Sequence, residues 1–252
     1  MIADCAVSVN SIDPDQLAHV DSVELKFVVP DGEQRVAVGA LGSDLLAIEL
    51  RQAYYVDTPD LALLRQGIVL RARRRQRGAH DTAIKLRPVV PAELPEELRD
   101  GPGFNVELDV APGLSVYTAT QNGARTPGGL EAALSGRRPL HELFSKRQRA
   151  LLSEWGRDEI DWRSLRALGP VDVFRVETRV PQLGLRLVAQ SWRYPDDSSL
   201  LELSTRVGPH ELEETSARLW MFLGELGFDV ATEQETKADR TLAFFARSDM
   251  AG

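Results

Sequence analysis

Pairs of charged side chains recur two residues apart along many short segments of the chain. Arg71 and Arg73 form one such pair, and Glu107 and Asp109 form another. The same spacing occurs at Glu24 and Lys26, at Lys85 and Arg87, at Arg147 and Arg149, at Arg175, Glu177 and Arg179, and at Glu202, Ser204 and Arg206. Side chains two apart on a β-strand point to the same face of the sheet. On strands, this spacing would therefore collect the charges on one face.

Two arrangements of such strands stay open. In the first, each strand belongs to an antiparallel sheet with an apolar core face and a charged, solvated face. In the second, the sheet closes into a barrel with the charged side chains inside, while helices cover the apolar outer face. Arginines two apart on one strand repel each other, and more strongly in an enclosed site. Their recurrence in several segments favours the second arrangement, because a bound anion would offset the repulsion.

A polyphosphate is the anion that these side chains suit. The guanidinium group of arginine matches the geometry of phosphate oxygens. Carboxylates in the same cavity would repel a phosphate unless a divalent cation lies between the two groups. Mg²⁺ or Mn²⁺ commonly bridges carboxylate and phosphate oxygens. We therefore expect a site that binds a polyphosphate together with Mg²⁺ or Mn²⁺.

The hydrophobic patterning places most of these pairs on strands. Strands are predicted over residues 22–29, 68–75, 82–90, 104–110, 145–153, 171–180, 185–194 and 200–207. Helices are predicted at 42–50, near 130–134 and 140–144, over 211–226 and over 237–245. Asp57 precedes Thr58 and Pro59, a sequence typical of a turn before a short helix. We expect this aspartate to order the turn rather than to act in catalysis.

Composition limits the classes of function. The chain has 252 residues, a net charge of −8 and a single cysteine, Cys5, so no internal disulfide is possible. It has no apolar run of the roughly 20 residues that a membrane span requires and no signal-peptide pattern, so we expect a cytoplasmic protein that binds no membrane. The acidic balance argues against nucleic-acid binding. The four histidines lack the spacing of a zinc site.

Several segments, in the right order between about residues 20 and 245, resemble the CYTH superfamily of triphosphate tunnel metalloenzymes. They are Glu24-x-Lys26, residues 54–74 (YYVDTPDLALLRQGIVLRARR), 84–88 (IKLRP), 105–110 (NVELDV), 200–204 (LLELS) and Lys237. This superfamily includes thiamine triphosphatase, inorganic triphosphatases and class IV adenylate cyclases. The resemblance implies an α+β fold, an eight-stranded antiparallel β-barrel with surrounding helices. We expect an N-terminal arm over 1–20, one tunnel domain over 21–246 and a tail over 247–252.

The resemblance, together with the alternation of the strands, assigns roles to individual residues. The predicted phosphate-binding residues are Lys26, Arg71, Arg73, Lys85, Arg87, Arg147, Arg149, Arg179 and Lys237. The predicted metal ligands are Glu24, Glu107 and Glu202, and Glu24 and Lys26 are also predicted to be catalytic.

Three positions depart from the pattern of the superfamily. Ser22 stands where the opening motif has a glutamate, Ser204 where the closing strand has one, and Gln190 where an aspartate is expected. Each replacement removes an anionic oxygen from the expected metal site. Weaker metal binding is the natural consequence.

Three functions are compatible with these features. The first is metal-dependent hydrolysis of inorganic triphosphate or a small organic triphosphate. The second is the formation of cyclic AMP from ATP on the same scaffold. The third is a non-catalytic module that binds polyphosphate or nucleotide, which Ser22 and Ser204 favour. A homodimer is compatible with the sequence, which does not demonstrate one.

Overall fold

The computed structural model describes residues 12–41, 48–155, 160–232 and 234–250, with side chains up to Arg247. Nine strands of this part of the chain close into one barrel. They are β1 (Ser22–Val29), β2 (Glu49–Asp57), β3 (Ile68–Arg75), β4 (His80–Leu86), β5 (Phe104–Ala111), β6 (Leu114–Arg125), β7 (Arg166–Val180), β8 (Leu185–Arg193) and β9 (Ser199–Val207). Around the barrel they follow the order β1-β5-β6-β4-β3-β2-β7-β8-β9, and β9 pairs with β1 to close it.

The predicted barrel is confirmed, but the predicted number and direction of its strands are wrong. The barrel has nine strands in the described residues rather than eight. It is mixed rather than antiparallel, because β1 pairs in parallel with β5 and every other neighbouring pair is antiparallel. The parallel pair is possible because β2, β3 and β4 lie between β1 and β5 in the chain and supply the crossover that parallel strands need.

Helices surround this barrel. They are α1 (Pro14–Leu17), α2 (Gln34–Leu41), α3 (Ala62–Arg65), α4 (Glu96–Arg99), α5 (Pro127–Leu134), α6 (Lys146–Trp155), α7 (Leu212–Glu225) and α8 (Lys237–Met250). Short 3₁₀ turns occur at Pro91–Glu93, Leu140–Leu143 and Pro209–Glu211. None of the helices in the described part of the chain is long and apolar enough to cross a membrane.

The apolar core lies mainly between the outer face of the barrel and these helices. On β1, Val23, Leu25 and Phe27 are fully buried and belong to the same cluster as Leu219 and Leu223 of α7. A second cluster joins the outer face of β3, β4 and β6 to α5 and α6. Burying the apolar side chains outside leaves the inward face of most strands to polar and charged residues. This is the second of the two arrangements that the sequence left open.

One end of the barrel interior is apolar. Tyr55, Val171, Val173 and Trp192 face inward and form a third cluster with Leu242 of α8. Helix α8 therefore packs across one end of the tunnel. We call this end the floor.

Most strand predictions agree with the structure, and that for β1 matches it residue for residue. The strand predicted over residues 145–153 is wrong, because the segment forms α6. In α6, Gln148, Leu151 and Leu152 are buried, at the i, i+3, i+4 spacing of a helix face. Strands β2 and β6 were not predicted. The helix predicted over 42–50 falls largely on residues 42–47, outside the described residues, and Glu49 and Leu50 belong to β2.

The VDTPD turn has the structural role expected for Asp57. The carboxylate of Asp57 is buried. It accepts hydrogen bonds from the backbone N–H groups of Thr58, Leu63 and Leu64 at 2.7, 2.9 and 3.0 Å. These bonds fix the start of α3 and thereby the entry into β3, which carries Arg71 and Arg73.

Candidate functional site

Strand alternation brings charged side chains from five strands and from α8, and uncharged polar side chains from two more strands, into one cavity above the floor. The cavity has a volume of about 210 Å³. All twelve of its lining residues are polar: Glu24, Lys26, Arg71, Arg73, Lys85, Asn105, Glu107, Thr120, Asn122, Gln190, Arg206 and Lys237. Six of these side chains are cationic and two are carboxylates, so the lining itself is mainly cationic, and Asp109, Asp81 and Glu202 pair with Lys26, Arg73 and Lys237 from behind it. Three of the four lysines of the chain lie here.

A group of three carboxylates lies on one wall of the barrel. Glu24 on β1 and Glu107 and Asp109 on β5 each offer one oxygen, and these three oxygens lie within 4.8 Å of one another. The parallel pairing sets Glu24 beside Asp109 in the register. Glu107 and Asp109 are buried. We call Glu24, Glu107 and Asp109 the acidic cluster.

Cationic side chains surround the acidic cluster. Lys26 Nζ lies 2.7 Å from Asp109 Oδ1 and 3.1 Å from Glu24 Oε2. Lys85 Nζ lies 2.8 Å from Glu107 Oε1, and Arg206 Nη2 lies 2.8 Å from Glu107 Oε2. Burial of carboxylates without such partners would be costly, so these ion pairs are what allow the cluster to form.

Neighbouring lysines keep Glu24 and Asp109 of the acidic cluster charged. Burial by itself would raise the pKa of Glu24, but Lys26, Lys237 and Lys85 hold that pKa well below its usual value. Burial would lower the pKa of Lys26, but Asp109 and Glu24 raise it above the usual value. The pKa of Asp109 is also lowered, because Lys26 and Lys85 outweigh the effect of burial. Glu24, Asp109 and Lys26 are therefore ionised at neutral pH.

The acidic cluster fits a divalent cation. Three carboxylates with converging oxygens form the hard oxygen donor set that Mg²⁺ and Mn²⁺ prefer. Glu24 and Glu107, two of the three predicted metal ligands, belong to it. The third, Glu202, lies outside the cluster, and its Oε1 accepts a hydrogen bond from Lys237 Nζ at 2.5 Å. Asp109 takes part although the sequence analysis did not assign it to the metal.

An arginine wall faces the cavity from β3. Arg73 Nε lies 2.8 Å from Asp81 Oδ1, and burial, with repulsion from Arg71, lowers the pKa of Arg73 to about 10. The Nε atom of Arg71 is buried, and among the described residues it has no hydrogen-bond partner. A cation in this condition is poised to bind an anion in the cavity.

Arg51 on strand β2 extends the arginine wall. It is not among the site residues predicted from the sequence. Arg51 lies opposite Arg75 in the register, and Glu49 lies opposite Arg175 of β7. Glu49 accepts hydrogen bonds from Arg51 and Arg75 at 2.6 and 3.1 Å, which lower the pKa of Glu49 to about 2. Glu49, Arg51, Ala53 and Tyr55 are spaced two residues apart, and this spacing could have predicted that β2 turns Glu49 and Arg51 to the interior.

Helix α8 contributes Lys237 at its first residue. The ammonium group lies 5.6 Å from the centre of the Trp192 ring and bonds Glu202. Burial and the nearby Lys26 lower the pKa of Lys237, although Glu202 opposes them. Trp192 therefore faces a lysine rather than the open cavity, in agreement with the packing role of this residue.

Four predicted phosphate-binding residues do not line this cavity. Arg147 and Arg149 lie on α6, where Arg147 donates to Glu97 O and Arg149 donates to Phe144 O. The prediction failed because their segment is a helix outside the barrel. Arg87 is engaged by α8. Arg179 is exposed near the end of β7, opposite Arg186 of β8.

We expect Arg71→Gln to weaken the binding of inorganic triphosphate by about 1.5–3 kcal/mol, the value of a hydrogen bond to a charged group. The melting temperature of the free protein should rise, because the substitution removes a half-buried guanidinium whose Nε has no hydrogen-bond partner in the described residues and which repels Arg73. Isothermal titration calorimetry measures the expected loss of affinity, and thermal unfolding measures the expected rise in melting temperature. Arg74→Gln is the matched control, since Arg74 lies next on β3 but is exposed and paired with Glu131. Unchanged affinity in Arg71→Gln would place the phosphates elsewhere.

The comparisons with known proteins agree with this architecture. No protein-family model and no curated protein matches the sequence. Among solved structures, an adenylate cyclase candidate from Bacillus halodurans is 16% identical, with a TM-score of 0.61 over 87% of this chain and 96% of that one. An adenylyl cyclase candidate from Hippeastrum, for which a dominant triphosphatase activity is described, is 19% identical, with a TM-score of 0.62 over 90% of this chain and 95% of that one. At such identities the likeness establishes the fold: the chain has the closed tunnel fold that its resemblance to the CYTH superfamily predicts.

Proposed function

We propose that the protein binds a triphosphate in the tunnel and hydrolyses it with the help of Mg²⁺ or Mn²⁺. The observation that carries the proposal is the lining of the cavity, in which six cationic side chains meet two carboxylates and no apolar residue. Carboxylates behind the lining balance several of these cations, but cationic side chains this close together still repel one another, and phosphate oxygens would offset that repulsion. A linear triphosphate, with several negative charges along a narrow chain, meets this requirement.

The cationic residues divide into two roles. Arg71, Arg73 and Lys237 face the cavity from the arginine wall and the floor and would bind phosphate oxygens. Lys26, Lys85 and Arg206 hold the acidic cluster in place through ion pairs of 2.7–3.1 Å. Because these two lysines also line the cavity, they would contact a phosphate on the metal side.

Glu24, Glu107 and Asp109 would hold the metal ion. When bound, Mg²⁺ or Mn²⁺ supplies charge neutralisation between carboxylates and phosphate and polarises the phosphoryl group. The chain itself orients the substrate, since cations on the opposite wall and on the floor limit where the triphosphate can lie. The tunnel walls also limit the access of bulk water to the site.

The position of Asp109 bears on the substitutions at Ser22, Ser204 and Gln190. These three residues leave fewer carboxylates than the superfamily pattern requires. Asp109 supplies a third carboxylate beside Glu24 and Glu107. The donor set therefore does not depend on positions 22, 190 or 204, which favours a catalytic site over a module that only binds.

The lining of the cavity supports hydrolysis over cyclisation. A cyclase must hold the adenine base, and proteins commonly bind such rings against apolar and aromatic side chains. None of the twelve described residues that line the cavity is apolar or aromatic. The lining therefore favours inorganic triphosphate over ATP, and a triphosphatase over a cyclase. The activity described for the Hippeastrum protein points in the same direction.

The test is phosphate release from inorganic triphosphate by the purified protein, with Mg²⁺, with Mn²⁺ and with a chelator. We expect metal-dependent release, and a rise in melting temperature with triphosphate because the ligand binds only the native state. ATP is assayed in parallel for phosphate and for cyclic AMP. A melting-temperature rise without phosphate release would indicate the binding module, and cyclic AMP without free phosphate would indicate the cyclase.

A further inference from the structure

The position of Lys237 depends on how the start of α8 is fixed. Lys237 is the first residue of this helix, and its side chain reaches the cavity from the floor. Helix α8 is not a strand of the barrel, so the hydrogen-bond ladder does not set its place. Other contacts hold this region: Gln234, before the helix, bonds Pro112 O and the backbone of Val28, and Leu242 of α8 packs into the floor. The direction of the first turn, which carries Lys237, depends in addition on contacts at the helix start itself.

Thr236 caps the N-terminus of α8. Its Oγ1 accepts a hydrogen bond from the backbone N–H of Asp239 at 3.2 Å and donates one to Asp239 Oδ2 at 2.6 Å. A threonine that pairs with an acidic residue three positions later is a typical helix start. The cap defines where the helix begins, but it does not by itself tie the helix to the barrel.

Arg87 makes that connection. Arg87 directly follows β4 and lies two residues beyond Lys85, on the same face. Its Nη2 lies 2.7 Å from Asp239 Oδ1 and its Nη1 lies 3.1 Å from Thr236 Oγ1. The guanidinium group thus grips both members of the cap, and its rigid fork fixes direction as well as distance.

These contacts leave Arg87 poorly placed for a phosphate. The side chain of Arg87 is 12% exposed, and both terminal nitrogens already have acceptors on α8. Arg87 is not among the residues that line the charged cavity, whereas Lys85 is. Lys85 and Arg87 are only two residues apart in the sequence, but their roles differ. Lys85 lines the cavity, whereas Arg87 contacts the start of α8.

We propose that Arg87 is a positioning residue, which clamps the capped start of α8 to β4 so that Lys237 points into the cavity. The effect of this clamp on triphosphate binding rests on the proposed function. The clamp itself does not, since it is a contact of the free protein. Two experiments therefore test separately whether the clamp exists and whether it affects triphosphate binding.

The first experiment needs no ligand. Hydrogen exchange of the backbone amides over 237–250 is compared in the wild-type protein, Arg87→Gln, Asp239→Ala and the control Arg147→Gln, whose arginine bonds a carbonyl on the outside of the barrel. We expect at least tenfold faster exchange at the start of α8 in the first two variants and no change in the control. Unchanged exchange in Arg87→Gln would overturn the clamp, whatever the substrate is.

The second experiment measures the affinity for inorganic triphosphate. If Arg87 acts through α8, then Arg87→Gln and Asp239→Ala should both weaken binding about five- to twentyfold, while adding Arg87→Gln to Lys237→Gln should cost little more. If Arg87 binds phosphate directly, Asp239→Ala frees it and binding is unchanged or tighter, and the losses in the double variant multiply. That outcome would overturn the proposal. Absence of triphosphate binding in the wild-type protein, with altered exchange in the variants, would contradict only the proposed function.

Discussion

Replacement of Lys26 by methionine is expected to lower the free energy of unfolding by about 3–5 kcal/mol, the cost of removing one partner of a buried ion pair. Lys26 lies between Asp109 and Glu24, at 2.7 and 3.1 Å. Without its charge the acidic cluster would lose the cation nearest to it. Binding of triphosphate should fall together with stability, because the cluster would then repel the phosphates.

Chemical denaturation and calorimetry measure the two effects. Lys146→Met is the matched control, since Lys146 is exposed on α6 and is the one lysine of the chain that does not line the cavity. It should leave both quantities within about 0.5 kcal/mol of the wild-type values. Mg²⁺ offers a further check, because a metal ion in the cluster would replace part of the lost charge. Stability of Lys26→Met should therefore recover with Mg²⁺, and a variant as stable as the wild type without metal would show that Lys26 does not compensate these carboxylates.

The sequence predicts the tunnel well wherever one segment carries its own alternating pattern. Val23, Leu25 and Phe27 alternate with Ser22, Glu24 and Lys26, and this pattern alone gives the limits and the inward face of β1. The same reasoning places Arg71, Arg73, Lys85 and Glu107 in the cavity. In each case the apolar residues face the helices and the charged residues face the interior, so that local pattern and final fold agree.

The charge pattern gives a wrong prediction where one segment has both the two-residue spacing of a strand and the spacing of a helix. Arg147 and Arg149 are two residues apart and suggest a strand, but Gln148, Leu151 and Leu152 have the spacing of a helix and are the residues that become buried. Burial decides, because the apolar side chains gain more from leaving water than the arginines gain from facing one side. Strand β6 was missed for a different reason. Its residues Thr118, Thr120 and Asn122 face the interior without charge, so alternation of charge gives no signal.

Contacts between residues far apart in the chain are the feature of the site that one sequence cannot predict. Asp109 was recognised as a neighbour of Glu107, but its place beside Glu24 follows from the parallel pairing of β1 with β5. The engagement of Arg87 by α8 depends likewise on a contact across 152 residues. The local sequence IKLRP is the same whether Arg87 faces a phosphate or a helix cap.

Glu24→Gln should abolish metal-dependent release of phosphate from inorganic triphosphate. The substitution keeps the shape of the side chain and removes one of the three carboxylates that could hold the metal. Lys26 keeps its closer partner Asp109, so we expect a smaller loss of stability than in Lys26→Met. In the absence of metal, triphosphate should bind at least as tightly as it does to the wild-type protein, because one repulsive carboxylate is gone.

Loss of turnover with retained metal-free binding distinguishes a metal ligand from a residue that only maintains the fold. A merely structural role would lower stability, binding and turnover together. A metal ligand instead lowers turnover and the metal-induced rise in melting temperature, while metal-free binding of triphosphate persists. Glu131→Gln is the matched control, because Glu131 is exposed on α5 and pairs with Arg74 outside the barrel. If Glu24→Gln released phosphate with Mg²⁺ at the wild-type rate, the metal would have to be held without β1, and the acidic cluster would serve only to balance the charge of Lys26, Lys85 and Arg206.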